Sequence, residues 1–378
     1  MVVAFALILT FLTSAVLTAL LVPPVARLCF ERGWVAQPGP RRVHRVPTPT
    51  LGGIAIVGGL FATLLLSILF ESLDPLLQRS PYEHLRLILL MIGALLVAIV
   101  SFVDDLYDLP PWLRLLFHFT AALVAVGPYL WDHTLYPDAL GMPTEARGII
   151  LTAFNFPFLE QIHLHQLTPW LAIIATMIWI AGLQNMLNWV DGLDGLAAGI
   201  TLIASTVLAL HALRLGQWTV ALLPLALAGT CAGFLRYNFH PASIFMGDVG
   251  AMTLGYVLSV SAIMGGAKLA TALLVLGVPL LDMIWLMIWR TWQGRSMASA
   301  GRDNLHIRLI DLGFSQRQVV AFYYGLSALF GTIALIDGIT PMTKLLALGT
   351  LTVVVLSVII TATITQTRRS QQAATPDE

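Results

Sequence analysis

The chain has 378 residues, 58% of them hydrophobic and 11% charged, with a mean hydropathy of +0.85. Soluble domains carry about 25% charged residues, so the solvent of this chain is a bilayer. Lys and Arg number 20, as do Asp and Glu, which argues against a nucleic-acid partner, because such binders need a basic surplus on one surface. Cys29 and Cys231 lie far apart in or beside apolar stretches and suggest neither a disulfide framework nor a thiolate metal site.

About 20 mostly apolar residues cross a hydrocarbon core about 30 Å thick. Runs bounded by charge, Pro or Gly predict helices at roughly 3–28, 51–71, 84–103, 112–131, 168–188, 194–213, 218–235, 249–265, 269–291, 318–336 and 342–365. The expected architecture is an all-α integral membrane protein of about eleven spans. One catalytic membrane domain covers 1–367, and a short polar tail covers 368–378. Met1 to Thr10 holds no basic residue, unlike the start of a cleavable signal peptide, so the first run is expected to be a retained span. After the fourth run, Ile149 to Leu167 alternates in part, which fits a small outer-face hairpin better than a helix.

Lys and Arg accumulate on cytoplasmic loops. With the N-terminus outside and the C-terminus in the cytoplasm, most of the arginines fall on the cytoplasmic side, and Arg79, Arg86, Arg147, Arg214, Lys268 and Lys344 on the other. The cytoplasmic segments long or polar enough to build a site are 29–50, 236–248 and 292–317. In this orientation Asp104 and Asp105 end the third run, Asn188, Asp191 and Asp194 join the fifth to the sixth, and Asp248 opens the eighth. His306 follows the ninth, so all face the cytoplasm.

These residues have structural readings beside functional ones. Asp194 and Asp248 stand where an N-cap would stabilise a helix by about 1 kcal/mol. Asp108, ahead of Pro110 and Pro111, fits a cap. Asp104 and Asp105 differ, because a helix C-terminus disfavours acids and local structure gives no reason for them. Paired carboxylates beside hydrocarbon call for a cation, and hard oxygen donors suit Mg²⁺, or Mn²⁺, shared with substrate phosphates. Arg41, Arg42, Arg45, Arg114, Arg302 and Arg308 lie on the same side and could bind pyrophosphate or lipid phosphate. Orientation and anionic lipid also account for such an excess. Asp282, inside the ninth run, is either functional or a partner for backbone freed by Pro279.

Four motifs carry a resemblance: Arg41-Arg42-Val43-His44-Arg45-Val46-Pro47-Thr48-Pro49-Thr50-Leu51-Gly52-Gly53, Phe102-Val103-Asp104-Asp105, Asn185-Met186-Leu187-Asn188-Trp189-Val190-Asp191-Gly192-Leu193-Asp194-Gly195, and Phe245-Met246-Gly247-Asp248-Val249-Gly250. In this order they resemble the polyprenyl-phosphate N-acetylhexosamine-1-phosphate transferase superfamily over nearly the whole chain. The resemblance implies an enzyme of the bacterial inner (plasma) membrane with its active site facing the cytoplasm. It would use a UDP-sugar donor and a polyprenyl phosphate acceptor to start cell-envelope glycan assembly, and a homodimer is compatible with it. By the same resemblance Asp248 and Asn188 would hold Mg²⁺, and Asp104 and Asp105 would serve the lipid phosphate and the metal. Asp191 and His306 would support the reaction centre. Asp194, Asn238 and Phe245 would form a uracil pocket, with Phe245 stacking on the base.

Many relatives carry neighbouring histidines where this chain reads Asp303-Asn304-Leu305-His306-Ile307-Arg308, so Arg308 stands in for part of that pattern. The triple-histidine signature of the muramoyl-pentapeptide enzymes is absent, which points to a UDP-N-acetylglucosamine donor. Thr48-Pro49-Thr50 resembles the muramoyl branch, and Gln37 replaces an acid common before the Pro-Gly of many relatives. The rival from another class is a cation- or proton-coupled transporter. Its acids would lie near mid-membrane on broken helices, often with internal repeats, and no repeat is present here.

Overall fold

The computed structural model describes residues 1–37, 46–133, 147–154, 162–264, 269–296, 303–336 and 340–374. Helix α1 (Val2–Arg32) leads into a two-residue antiparallel pair, β1 (Val35–Ala36) and β2 (Thr48–Pro49). Helices α2 (Gly53–Leu66), α3 (Pro81–Tyr107) and α4 (Pro111–Val126) follow. The start of α3 is fixed by a capping box between Ser80 and Glu83, with Pro81 in the first turn, where its missing N–H costs nothing. Asp108 ends α3 as a cap, at φ 52°.

Strands β3 (Ala153–Phe154) and β4 (Ile162–His163) pair antiparallel, Ala153 with His163, which is the hairpin expected there, and one helical turn, α5 (Leu164–Leu167), extends it. A small core of Val126, Tyr129, Ile150, Leu164, Ala172 and Ile173 seats it on the end of α4 and the beginning of α6 (Pro169–Val190). The chain continues through α7 (Leu196–Arg214), α8 (Trp218–Asn238), α9 (Gly247–Ile263), α10 (Leu269–Val275), α11 (Gly277–Trp292), α12 (Leu305–Asp311), α13 (Gln316–Ala334) and α14 (Pro341–Ala374).

Helix α9 is the hub, buried at every position from Val249 to Ile263 and packed against α2, α3, α6 and α7. Small residues let backbones approach, as is usual between membrane helices. In α8, a Cβ on Gly229 or Gly233 would lie 2.2 or 2.1 Å from the carbonyl oxygen of Phe11 or Ala15 in α1. At the same interface Ser14 and Thr230 share a 2.6 Å hydrogen bond.

The all-α, multi-pass membrane architecture is as expected, and every predicted run overlaps a helix. The eleven runs correspond to α1, α2, α3, α4, α6, α7, α8, α9, the pair α10 and α11, α13 and α14. Among the described residues eight helices are long and apolar enough to cross a membrane, or nine if one bent pair is a single span. Helix α9 has 17 residues; sheathed in protein, it needs no full lipid-facing length. The first turn of α13, Gln316-Arg317-Gln318, dilutes its apolar character. The run 269–291 is split into α10 and α11, which meet at 78°. Gly277 and Pro279 fall in the first turn of α11, where Pro cannot return a hydrogen bond to the preceding turn. Helix α14 runs to Ala374, so helix continues into the expected tail.

Candidate active site

The last turn of α3, the first of α4, the end of α6 and the beginning of α9 meet at one end of the bundle, opposite the hairpin. There Asp104 is buried, accepting the Leu109 N–H at 2.7 Å and the Arg114 guanidinium at 3.0 Å. Asp105 accepts the backbone N–H groups of Asp248 at 3.0 Å and Val249 at 3.1 Å. This corrects the expectation that local structure gives the pair no purpose. Asp105 ends one helix but caps the N-terminus of another, so the dipole of α9 offsets that of α3.

Asp248 is the second residue of α9, whose N-cap is Met246, so Asp248 is not the N-cap expected from its place in the sequence. Its carboxylate instead accepts the Asn188 amide at 2.7 Å and lies 3.6 Å from Arg114. Glycines bring these parts together. Gly247, at φ 66°, leaves no room for a Cβ, which would lie 2.4 Å from the Thr50 carbonyl oxygen and 2.7 Å from Asp105 Oδ2. Gly53 and Gly250 let α2 and α9 touch, since a Cβ on Gly53 would lie 2.1 Å from the Gly250 nitrogen. Gly52 and Gly53 donate to the carbonyls of Phe245 and Met246 at 2.9 and 2.8 Å, and the Phe245 N–H donates to Pro49 at 2.8 Å. The Thr48–Gly53 stretch thereby fixes the half-buried Phe245.

Asp191 follows α6, and no described residue donates a hydrogen bond to its carboxylate. Desolvation, then the charges of Asp248, Asp105 and Asp194, raise its carboxyl well above the usual carboxylate range. Asp194 accepts the His240 ring at 2.7 Å and the Ala242 N–H at 3.1 Å. Asn238 is buried, accepts the Gly195 N–H at 3.1 Å and donates to the Ile244 carbonyl at 2.9 Å. Asn238 thus uses both amide atoms to join the two loops. His240 was missed in the sequence, although a histidine within the loop that carries Asn238 and Phe245 was a usable signal.

His306 is 1% exposed, and its Nε2 meets the Asp191–Gly192 turn, where a Cβ on Gly192 would lie 2.5 Å away. Asn304 donates to the Trp189 carbonyl at 2.8 Å and anchors this loop to the end of α6. Arg308 is placed otherwise. Its Nε donates to the Asp303 carbonyl at 2.7 Å, its Nη1 donates to Thr363 and its guanidinium lies 5.7 Å from the Trp289 ring centre. Arg308 therefore braces α12 against α11 and α14. Asp282 does not serve backbone freed by Pro279; it accepts the Leu305 N–H at 2.9 Å and the Tyr323 hydroxyl at 3.2 Å. Arg45 and Arg302, with Arg41 and Arg42, lie outside the described residues.

No three His, Cys, Asp or Glu side chains close a complete metal site among the described residues. The donors nevertheless fit a hard cation. Asp191 and Asp248 offer carboxylate oxygens in a crowd of acids, and Mg²⁺ binds through one or two carboxylates with substrate phosphates completing its shell.

Residues 87–266, which hold most of these groups, match the model of the family described as Glycosyl transferase family 4. A probable undecaprenyl-phosphate N-acetylglucosaminyl 1-phosphate transferase of Bacillus subtilis is 30% identical over 87% of this chain and 84% of its own length. The chain belongs to glycosyl transferase family 4. As a family 4 protein it is a membrane-embedded transferase. A decaprenyl-phosphate N-acetylglucosaminephosphotransferase of Mycobacterium tuberculosis is 32% identical over 84% of this chain and 79% of its own. A phospho-N-acetylmuramoyl-pentapeptide-transferase of Bacillus licheniformis is 27% identical over 88% and 97%. Both belong with the resemblance drawn from the four motifs.

Proposed function

We propose that this family 4 transferase moves N-acetylglucosamine 1-phosphate from UDP-N-acetylglucosamine to undecaprenyl phosphate, giving undecaprenyl-diphosphate-N-acetylglucosamine and UMP. The observation that carries the reading is the meeting of Asp105, Asp191, Asn188, Asp248 and Arg114 at one end of an apolar bundle. A transferase needs such a polar end within a bilayer when one substrate is a lipid whose phosphate waits at headgroup depth. The arginine distribution supports a cytoplasmic position for that end, where nucleotide sugars are made.

A lipid phosphate oxygen attacks the sugar-bearing phosphorus of the donor, the bond to the UMP oxygen breaks, and UMP leaves. With a second pKa of about 6, the attacking phosphate is largely ionised at neutral pH, so it needs little help from a base. Arg114, held by Asp104 beside Asp248, would offset phosphate charge. Asp248 and Asn188, joined by a 2.7 Å hydrogen bond, would hold Mg²⁺, which when bound neutralises charge on the transferring group, and Asp191 beside them would support the reaction centre. Phe245 offers an aromatic face for a planar base, and Asp194, fixed by His240, offers it a carboxylate edge.

The donor is tested by giving the purified protein undecaprenyl phosphate and a panel of UDP-sugars. UDP-N-acetylglucosamine is expected to support UMP release far better than other UDP-N-acetylhexosamines or UDP-MurNAc-pentapeptide. Preference for the muramoyl donor would move the chain to the other branch of the superfamily.

A further inference from the structure

We infer that Asp282 is a positioning residue for His306, holding the imidazole in the Nδ1–H tautomer so that an unprotonated Nε2 faces the Asp191–Gly192 turn. The inference rests on the proposed role of His306 in transfer. Asp282 lies in α11, 4% exposed, and an acid at such a place in a membrane helix is costly unless it is paired. Two donors from different elements reach it, the Leu305 N–H at the start of α12 and the Tyr323 hydroxyl of α13.

The third neighbour is His306 Nδ1, 3.8 Å from Asp282 Oδ2 and buried without a hydrogen-bond partner. That distance exceeds a hydrogen bond, but the charge on Asp282 favours an N–H over a lone pair at the nitrogen that faces it. A bare Nδ1 would turn its lone pair toward a carboxylate oxygen, whereas an Nδ1–H is drawn to it. The Tyr323 ring, 6.5 Å away at 72°, borders the imidazole, and Gly192 gives its far edge access to the turn.

The competing account makes Asp282 only a staple between α11, α12 and α13. Asp282→Asn separates the two, because its Oδ1 can still accept from Leu305 and its amide can donate to the Tyr323 oxygen. The same amide offers a donor to His306 Nδ1 and so favours the opposite tautomer. The full chain in nanodiscs, labelled with ¹⁵N-histidine and assigned by comparison with His306→Gln, should show Nδ1–H at His306 in wild type and Nε2–H in Asp282→Asn. Turnover of Asp282→Asn should fall by about 10²-fold or more, with KM for the UDP-sugar nearly unchanged. Asp282→Asn should also cause no further loss in a His306→Gln background.

An Nε2–H imidazole in wild type would overturn the inference without any variant. So would an unchanged tautomer in Asp282→Asn, or an equal loss in both backgrounds. A wild-type protein that transfers nothing from UDP-N-acetylglucosamine but shows the Nδ1–H signal would overturn the proposed function and leave the positioning intact.

Discussion

Asp248→Asn is expected to lower transfer by about 10²- to 10³-fold while the purified protein unfolds at nearly the wild-type temperature. The substitution keeps the side chain's shape, and its oxygen can still accept the Asn188 amide that now reaches Asp248 at 2.7 Å. No helix cap is lost, because Met246 is the N-cap of α9 and Asp105 receives the free N–H groups. Arg114 retains its 3.0 Å pair with Asp104. What disappears is one negative charge where a cation and two phosphates are expected to meet. Turnover, its Mg²⁺ dependence and thermal unfolding in detergent should be measured together; wild-type turnover with unchanged Mg²⁺ dependence would remove Asp248 from the metal site.

Asp105→Asn should damage both properties. The carboxylate accepts two backbone N–H groups from the first turn of α9, one with each oxygen. An amide has a single acceptor, and its NH₂ would face the second N–H, leaving part-buried donors opposed at a cost of about 1–3 kcal/mol. Because α9 carries Asp248 and packs on α2, α3 and α6, a shift of its first turn moves the proposed metal ligand as well. A clear fall in unfolding temperature should therefore accompany a loss of transfer of at least about tenfold. Inactivity with unaltered stability would assign Asp105 to the chemistry alone.

The contrast between these two acids marks how far the sequence could be read. Acids next to hydrocarbon stand out because they are costly there, so Asp104, Asp105, Asp191 and Asp248 could be selected and brought to one side by alternating the spans. Their division of labour could not be read, since the N–H groups that Asp105 caps come from residues 143 and 144 positions away. Tertiary proximity likewise decides Arg308, which its position in the loop marked as a phosphate binder and which the fold turns toward Thr363 and Trp289. Helix positions were legible because apolar length is set by the bilayer. The 78° break at Leu276 was not, because a hydrophobic run averages over Gly277 and Pro279 although both were visible.

The most direct test of the proposed transfer follows the donor's second phosphorus. UDP-N-acetylglucosamine carrying ³²P in the phosphate next to the sugar is incubated with the purified chain, Mg²⁺ and undecaprenyl phosphate, and the lipid is extracted. The label is expected in the lipid phase, with one UMP released per label transferred. Label that stays in water as UDP while the sugar enters the lipid would show transfer of sugar without its phosphate and would contradict the account.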